Sequence, residues 1–376
     1  MKKCWNPFCR KPIKEDAEYC VYCRAWQRLP IVILGVLVPL LSIIILVFKF
    51  PQGCIPGPIA TSTPTTSITV VTKTTIIDET IEIVNTPTPK IIITPTSSSK
   101  EEKALNGKIV FTCQVDKTIG HDQICIINAD GSGKKQLTNN LNSENYYPSL
   151  YGKGSKVIFS SSMNGGYELF SVDTDGKNLK QLTSNHGEFY SSDVSPDGKY
   201  ILATRHQNGK NYISLLRIDG SFIGDLNSYY DCKEPVWSPD GSEILFAANT
   251  ESKGIQFYTM DKDGNNVRKI SNLSYLTGRS DWGPNGQMAS FSGEYKKQNR
   301  ELFLFDEKGA VDYLTNGGDN LAPSFSPDGS WIAFTSYRDN FGDPDGCEIY
   351  LMRLSDGYVK RVTDNDYCDY QPRWGD

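Results

Sequence analysis

The sequence predicts an all-β protein body, a six-bladed β-propeller of four-stranded antiparallel blades closed by its C-terminal strand. Three observations predict it. A proline–aromatic element followed by a tight-turn tetrapeptide recurs at a fixed interval, a run of alternating apolar residues follows most copies, and the two ends of the repeat array each lack what the other has.

The recurring element reads PSLYGKGSKVIFSS from Pro148, SDVSPDGKYILATR from Ser192, PVWSPDGSEILFAA from Pro235, SDWGPNGQMASFSG from Ser280 and PSFSPDGSWIAFTS from Pro323, at intervals of 44, 43, 45 and 43 residues. Such a period marks an array of supersecondary units. The first strand of each unit runs into Ser-Pro-Asp-Gly. Proline fits the second turn position because its φ is already set, and glycine at the fourth tolerates positive φ. In the second strand Ile244, Phe246 and Ala248 share one face, and Leu245 and Ala247 the other. A third strand follows, as in EIYLMRL, then a second hairpin turn (NADG, DTDG, RIDG, DKDG, LSDG), then a fourth strand ending in QLT or its variants KIS, YLT and RVT. Four antiparallel strands in ~40–45 residues make a propeller blade.

The ends give the count. Residues 107–138 contain strands two to four with no first strand, and DYQPRWGD at the C-terminus is a first strand with nothing after it. Placing Gln371–Trp374 beside Ile109–Thr112 completes the sixth blade and closes the ring. The motifs resemble the propeller of the TolB family and its relatives, including that of the prolyl oligopeptidases, whose repeat reads roughly P-x-W-S-P-D-G-x-x-I-A-F-x-S, I-Y-x-M-x-x-D-G, R-L-T. The resemblance covers 107–376 and implies the fold far more than a function.

Upstream the composition changes three times. Residues 1–28 hold Cys4, Cys9, Cys20 and Cys23 and a net charge of +4, leaving −9 for the remainder of a chain whose total is −5. Two close cysteine pairs can hold one Zn²⁺ tetrahedrally, and so short a segment needs the metal to fold. The stretch resembles small bacterial zinc-ribbon modules, with Arg24 in place of their usual glycine and a longer first knuckle. Residues 29–50 are read as a transmembrane helix. The twenty uncharged residues Leu29–Phe48 match a hydrocarbon core of about 30 Å. Basic residues ahead of the span put the N-terminus in the cytoplasm and the rest outside. Residues 51–106 are rich in Thr, Pro and Ser and read as an extracytoplasmic stalk.

In an oxidising compartment the placement of Cys113 and Cys125 on adjacent strands, and of Cys347 and Cys368 at one face of the last blade, makes two disulfides feasible, with free thiols as the alternative. The acidic body carries no footprint for nucleic acid. Only three histidines occur, with no H-E-x-x-H or G-x-S-x-G, so no catalytic residue is assigned and the protein is not expected to be an enzyme. Asp339, Asp343 and Asp345 in RDNFGDPDGCE offer oxygen ligands for Ca²⁺ in a pattern short of an EF-hand. The inter-blade loops gather tyrosines beside acids, and Tyr146, Tyr147, Tyr190, Tyr230 and Tyr370, with Arg279, are the candidate ligand-binding residues. The expected function is a membrane-anchored binding or scaffold module at the bacterial cell envelope, with an envelope protein or glycan as partner. The alternatives are a propeller hydrolase or lyase working at the channel mouth, and a transmembrane sensor coupling an external ligand to the zinc ribbon.

Overall fold

The computed structural model describes residues 105–376 apart from 117–120, 228–230, 250–253, 274, 275, 277, 294–299 and 341, together with a short antiparallel pairing of Lys2–Lys3 with Pro12–Ile13. Cys4, Cys9, Cys20, Cys23, the 29–50 span, the stalk and Tyr230 lie outside the described residues.

Six four-stranded antiparallel sheets follow one another. Blade one takes its innermost strand from the end of the chain, Asp369–Gly375, beside Lys108–Gln114, Asp122–Asn128 and Lys135–Gln136. The innermost strands of blades two to six are Asn145–Tyr151, Glu188–Val194, Asp231–Trp237, Asp281–Trp282 and Asn320–Phe325. In the closing register Arg373 lies opposite Val110 and Trp374 opposite Ile109, which is the expected joint.

The core is distributed around the ring. Buried apolar residues form six clusters among the described residues, each shared by two neighbouring blades. Ile244, Phe246 and Ala248 pack toward blade three, whereas Leu245 and Ala247 pack toward blade five. The period-two alternation therefore does not separate inside from outside. It separates one neighbour from the other, which is why the second strands are buried on both faces. The cluster joining blade six to blade one contains Trp331, Ile349, Ile109, Phe111 and Trp374, so the ring has no open seam.

The repeated motifs are structural. In Ser-Pro-Asp-Gly the glycine N–H donates to the serine carbonyl at 2.8–2.9 Å, with φ near +70° at Gly198, Gly241 and Gly329. The serine hydroxyl donates to the aspartate (Ser238 to Asp240, 2.7 Å) and accepts the N–H that opens the second strand (Glu243, 2.9 Å). Blade five reads Gly-Pro-Asn-Gly because a Cβ on Gly283 would stand 2.9 Å from the Phe325 ring. The hydroxyl of QLT, or of KIS, accepts the N–H of the third strand in five blades: Ile124 to Thr138, Leu169 to Thr183, Phe257 to Ser271, Leu302 to Thr315 and Ile349 to Thr363, all at 2.7–2.9 Å. This clip compensates for fourth strands only two or three residues long in most blades.

Disulfides join Cys113 to Cys125 and Cys347 to Cys368, while Cys232 is fully buried in the core. The second bridge ties the residue preceding the third strand of blade six to the residue preceding the closing strand, across a separation of 21 residues. A loop of that size stabilises by about 3 kcal/mol in the chain-entropy account. We predict that replacing Cys347 and Cys368 together by serine lowers the thermal midpoint by several degrees. Hydrogen exchange should accelerate most along Asp369–Gly375, and uniform acceleration around the ring would refute the local tether.

Candidate functional site

The innermost strands border the ring axis, and each carries a register irregularity at the same place in five blades: Tyr146/Ser149, Tyr190/Ser192, Lys233/Val236, Leu321/Ser324 and Tyr370/Arg373. The residue inside it has positive φ each time, at Tyr147 (54°), Ser191 (35°), Glu234 (56°), Ala322 (52°) and Gln371 (57°). A non-glycine residue held there costs on the order of 1 kcal/mol or more. Its recurrence marks a bulge that re-aims the strand. Arg279 occupies the aligned position in blade five.

Side chains from these strands meet across the axis. Arg279 Nη2 donates 2.8 Å to the Pro148 carbonyl of blade two, the blade opposite its own, and its guanidinium lies 5.8 Å from the Tyr147 ring centroid. Arg373 of blade one pairs with Asp281 of blade five at 2.6 Å and donates to the Ser280 carbonyl at 3.0 Å. Gln371 Oε1 accepts from the Tyr147 N–H at 3.0 Å and from the Thr112 hydroxyl at 3.1 Å. Asp193 Oδ2 accepts the Trp237 N–H at 2.9 Å and Asp281 Oδ2 the Phe325 N–H at 2.7 Å. These two carboxylates thus each bind the backbone of the next blade around.

Burial dominates the electrostatics. It pushes the Asp193 carboxyl up, against the attraction of Arg373. It pulls the Arg279 guanidinium down to about 9, helped by Arg373 and opposed by Glu234, Tyr147 and Asp281. A lining this desolvated makes each charge expensive unless it is paired.

At the end of the axis where the inter-blade loops lie, tyrosines form a row. Ring centroids are 6.5 Å apart for Tyr370–Tyr146, 6.2 Å for Tyr146–Tyr167 and 4.9 Å for Tyr167–Tyr190. Tyr146 donates to Asp122 at 2.9 Å, Tyr167 to Glu144 at 2.7 Å and Tyr190 to Glu188 at 2.7 Å, while burial, reinforced by the Asp122 carboxylate, pushes the Tyr370 phenol up. The structure thus brings Tyr146, Tyr147, Tyr190, Tyr370 and Arg279 together at the axis and its mouth, but not equally. Tyr146 and Arg279 are buried, whereas Tyr147, Tyr190 and Tyr370 are half-buried. Arg373, Asp193, Asp281, Glu234 and Gln371 belong to the same constellation and escaped the reading of the loops. Their signal was two variable columns of the repeat, the residue between proline and aromatic for Asp193, Asp281 and Arg373, and the residue before the proline for Glu234 and Gln371.

In the acidic insertion, Asp339 accepts from Tyr350 and lies 3.3 Å from Arg361. Asp343 accepts the Asp345 N–H at 3.0 Å, and Asp345 accepts from Gln114 at 3.2 Å. Among the described residues no three metal-ligating side chains gather.

One titratable group lies at the closing strand. Asp369 is buried, with Lys134 at 2.7 Å and the Asn365 amide at 2.9 Å. Its carboxyl rises from 3.8 to about 6 through burial, opposed by Lys134 and reinforced by Glu348. A folded-state value above the unfolded one means that its contribution to stability is full below about 4 and is lost as pH rises through about 6. Stability of the wild type should therefore fall between those values on this group's account. Asp369→Asn should flatten that stretch of the melting-temperature profile, and parallel profiles would contradict the assignment.

Comparison with known proteins places this geometry. The model of the TolB beta propeller domain matches residues 106–285. An uncharacterized protein of Agrobacterium fabrum is 29% identical over 221 residues, covering 56% of this chain and 70% of that protein. A TolB homolog of Chlorobium luteolum is 27% identical over 213 residues, covering 55% of this chain and 36% of the homolog. Dipeptidyl-peptidase 5 of Porphyromonas gingivalis is 25% identical over 308 residues, covering 75% of this chain and 43% of the peptidase. The chain thus spans about a third of the Chlorobium homolog and less than half of the peptidase. The crystal structure of TolB from Acinetobacter baumannii superimposes with a TM-score of 0.61 at 19% identity, covering 72% of this chain and 66% of that one. The body of this chain is a TolB-like six-bladed β-propeller, similar in sequence both to proteins named for TolB and to a dipeptidyl-peptidase.

Proposed function

We propose that this chain is a binding module of the bacterial cell envelope, a propeller held outside the cytoplasmic membrane that presents its loop face and axis to an envelope protein. An envelope glycan is the alternative partner. The observation that carries the reading is the set of charged and aromatic side chains converging on the axis and its loop-side mouth. Arg279, Tyr147 and Gln371 meet there beside the tyrosine row. Half-buried aromatics next to polar groups suit recognition of another molecule.

Further support comes from relatives named TolB homolog, and from a Tol-Pal system protein TolB of Anaeromyxobacter dehalogenans that is 25% identical over 151 residues. The two disulfides suit an oxidising compartment. The anchor at 29–50, the cytoplasmic N-terminus and structural zinc at Cys4, Cys9, Cys20 and Cys23 rest on composition and spacing. His186 stacks on Phe222 with ring centroids 4.8 Å apart and His206 bonds Asn211 at 3.0 Å, both roles in packing.

The test is site-specific photo-crosslinking in growing cells. A photoreactive residue at position 190 is expected to capture an envelope protein. The same group at position 267, exposed on blade four, is expected to capture none. Equal capture from both positions would remove the loop face as the binding surface.

A further inference from the structure

We propose that the ring axis carries a carboxylate-binding site built on Arg279. This rests on the binding reading above and deepens it by naming what the axis recognises. Three arginines are buried among the described residues. Arg205 is paired with Asp225 at 2.5 Å and Arg373 with Asp281 at 2.6 Å. Arg373 also keeps its Nε buried without an acceptor, but Arg279 alone of the three has no carboxylate in ion-pair contact. At 4% exposure Arg279 donates through Nη2 to the Pro148 carbonyl, while its Nε and Nη1 are buried with no hydrogen-bond acceptor.

A guanidinium offers five donors in a planar fork and cannot shed its charge at neutral pH. Burying it with most of those donors unused is costly, and nothing in blade five requires it. The aligned positions are filled by Tyr, Ser, Glu, Ala and Gln, so the bulge itself accepts side chains of any kind. Glu234 attracts Arg279 through space without bonding it, and Asp281 is already held by Arg373, Ser324 and the Phe325 N–H. The chemistry that would satisfy the remaining donors is a carboxylate, whose two oxygens match the guanidinium fork. The face of Tyr147 would flank it. Two sources share that chemistry: a small free carboxylate, and the carboxyl end of an extended peptide entering from the tyrosine-lined mouth.

The test uses the full-length chain and two pairs of probes, read by titration calorimetry. Sodium acetate is compared with sodium chloride at equal ionic strength, and tetraglycine with its C-terminal amide. Tetraglycine is expected to bind saturably and at least about tenfold more tightly than the amide, the range of a charge-assisted hydrogen bond. Arg279→Gln is expected to erase that difference. Saturable acetate binding without tetraglycine binding would assign the small-ligand source. Equal affinity for acid and amide, absence of binding by either carboxylate, or an acid preference unchanged in Arg279→Gln would overturn the proposal. The acid–amide comparison in the wild type decides the matter even if the variant fails to fold. If crosslinking at position 190 captures a partner while both carboxylates fail, this inference falls and the binding-face reading stands. The reverse pattern separates them the other way.

Discussion

Trp374→Ala lowers the thermal midpoint by on the order of 10 °C. The indole is 8% exposed and packs in the cluster that joins blade six to blade one, beside Ile109, Phe111 and Trp331. Its Nε1 donates to the Asn106 carbonyl at 2.9 Å, and its backbone N–H donates to the Ser324 hydroxyl of blade six at 3.1 Å. Truncating a buried aromatic of this size costs about 3–5 kcal/mol. Here the loss also strips the Asn106 carbonyl of its donor. Calorimetry or circular dichroism checks it, with Val267→Ala as the exposed control expected to shift by no more than about 0.5 kcal/mol. A Trp374 variant that melts with the wild type would mean that the ring does not depend on its closing strand.

The second large effect is at Arg373. Arg373→Met leaves Asp281 without its cation, and Asp193 without the charge that opposes its desolvation. Removing one member of a buried pair costs about 3–5 kcal/mol, because the surviving charge stays behind. Asp281→Asn in the same chain should recover part of the loss. The amide can still accept the Phe325 N–H, and a coupling above about 1 kcal/mol in urea unfolding is expected. Additive losses would show that Arg373 acts by packing alone. The two axial arginines thus separate by role: Arg373 is expected to govern stability and Arg279 to govern ligand affinity.

Much of the fold was legible because its determinants are local and repeated. The turn at Ser238–Gly241, the alternation at Ile244–Ala248 and the hydroxyl of QLT each sit within a few residues of what they hold. Closure was legible for a different reason, since a missing strand at one end and a spare one at the other leave one economical solution. The site was far less so. Tyr146 and Tyr147 are neighbours in one strand, yet the first is buried against Asp122 and the second lies beside Arg279. The bulge decides which, and no side-chain pattern announces where the extra residue enters. Arg279 meets an acceptor 131 residues away on the opposite blade, a relation invisible to a 44-residue period. Asp193, Asp281 and Arg373 stand at a position of the motif that changes from copy to copy, so a reading tuned to what recurs passes over them.

The joint between Trp374 and Asn106 spans 268 residues of sequence. Every other blade is assembled from contiguous chain and can form as soon as it is made. Blade one cannot. Its innermost edge stays bare until the final strand arrives, and closing so long a loop carries an entropic penalty that local pairing does not repay in advance. During synthesis, then, the nascent domain is an open arc with an unsatisfied edge. Chaperones that guard unpaired strands would be needed most in that interval, and a stall before the closing strand emerges would leave blades two to six made and the disc still unsealed.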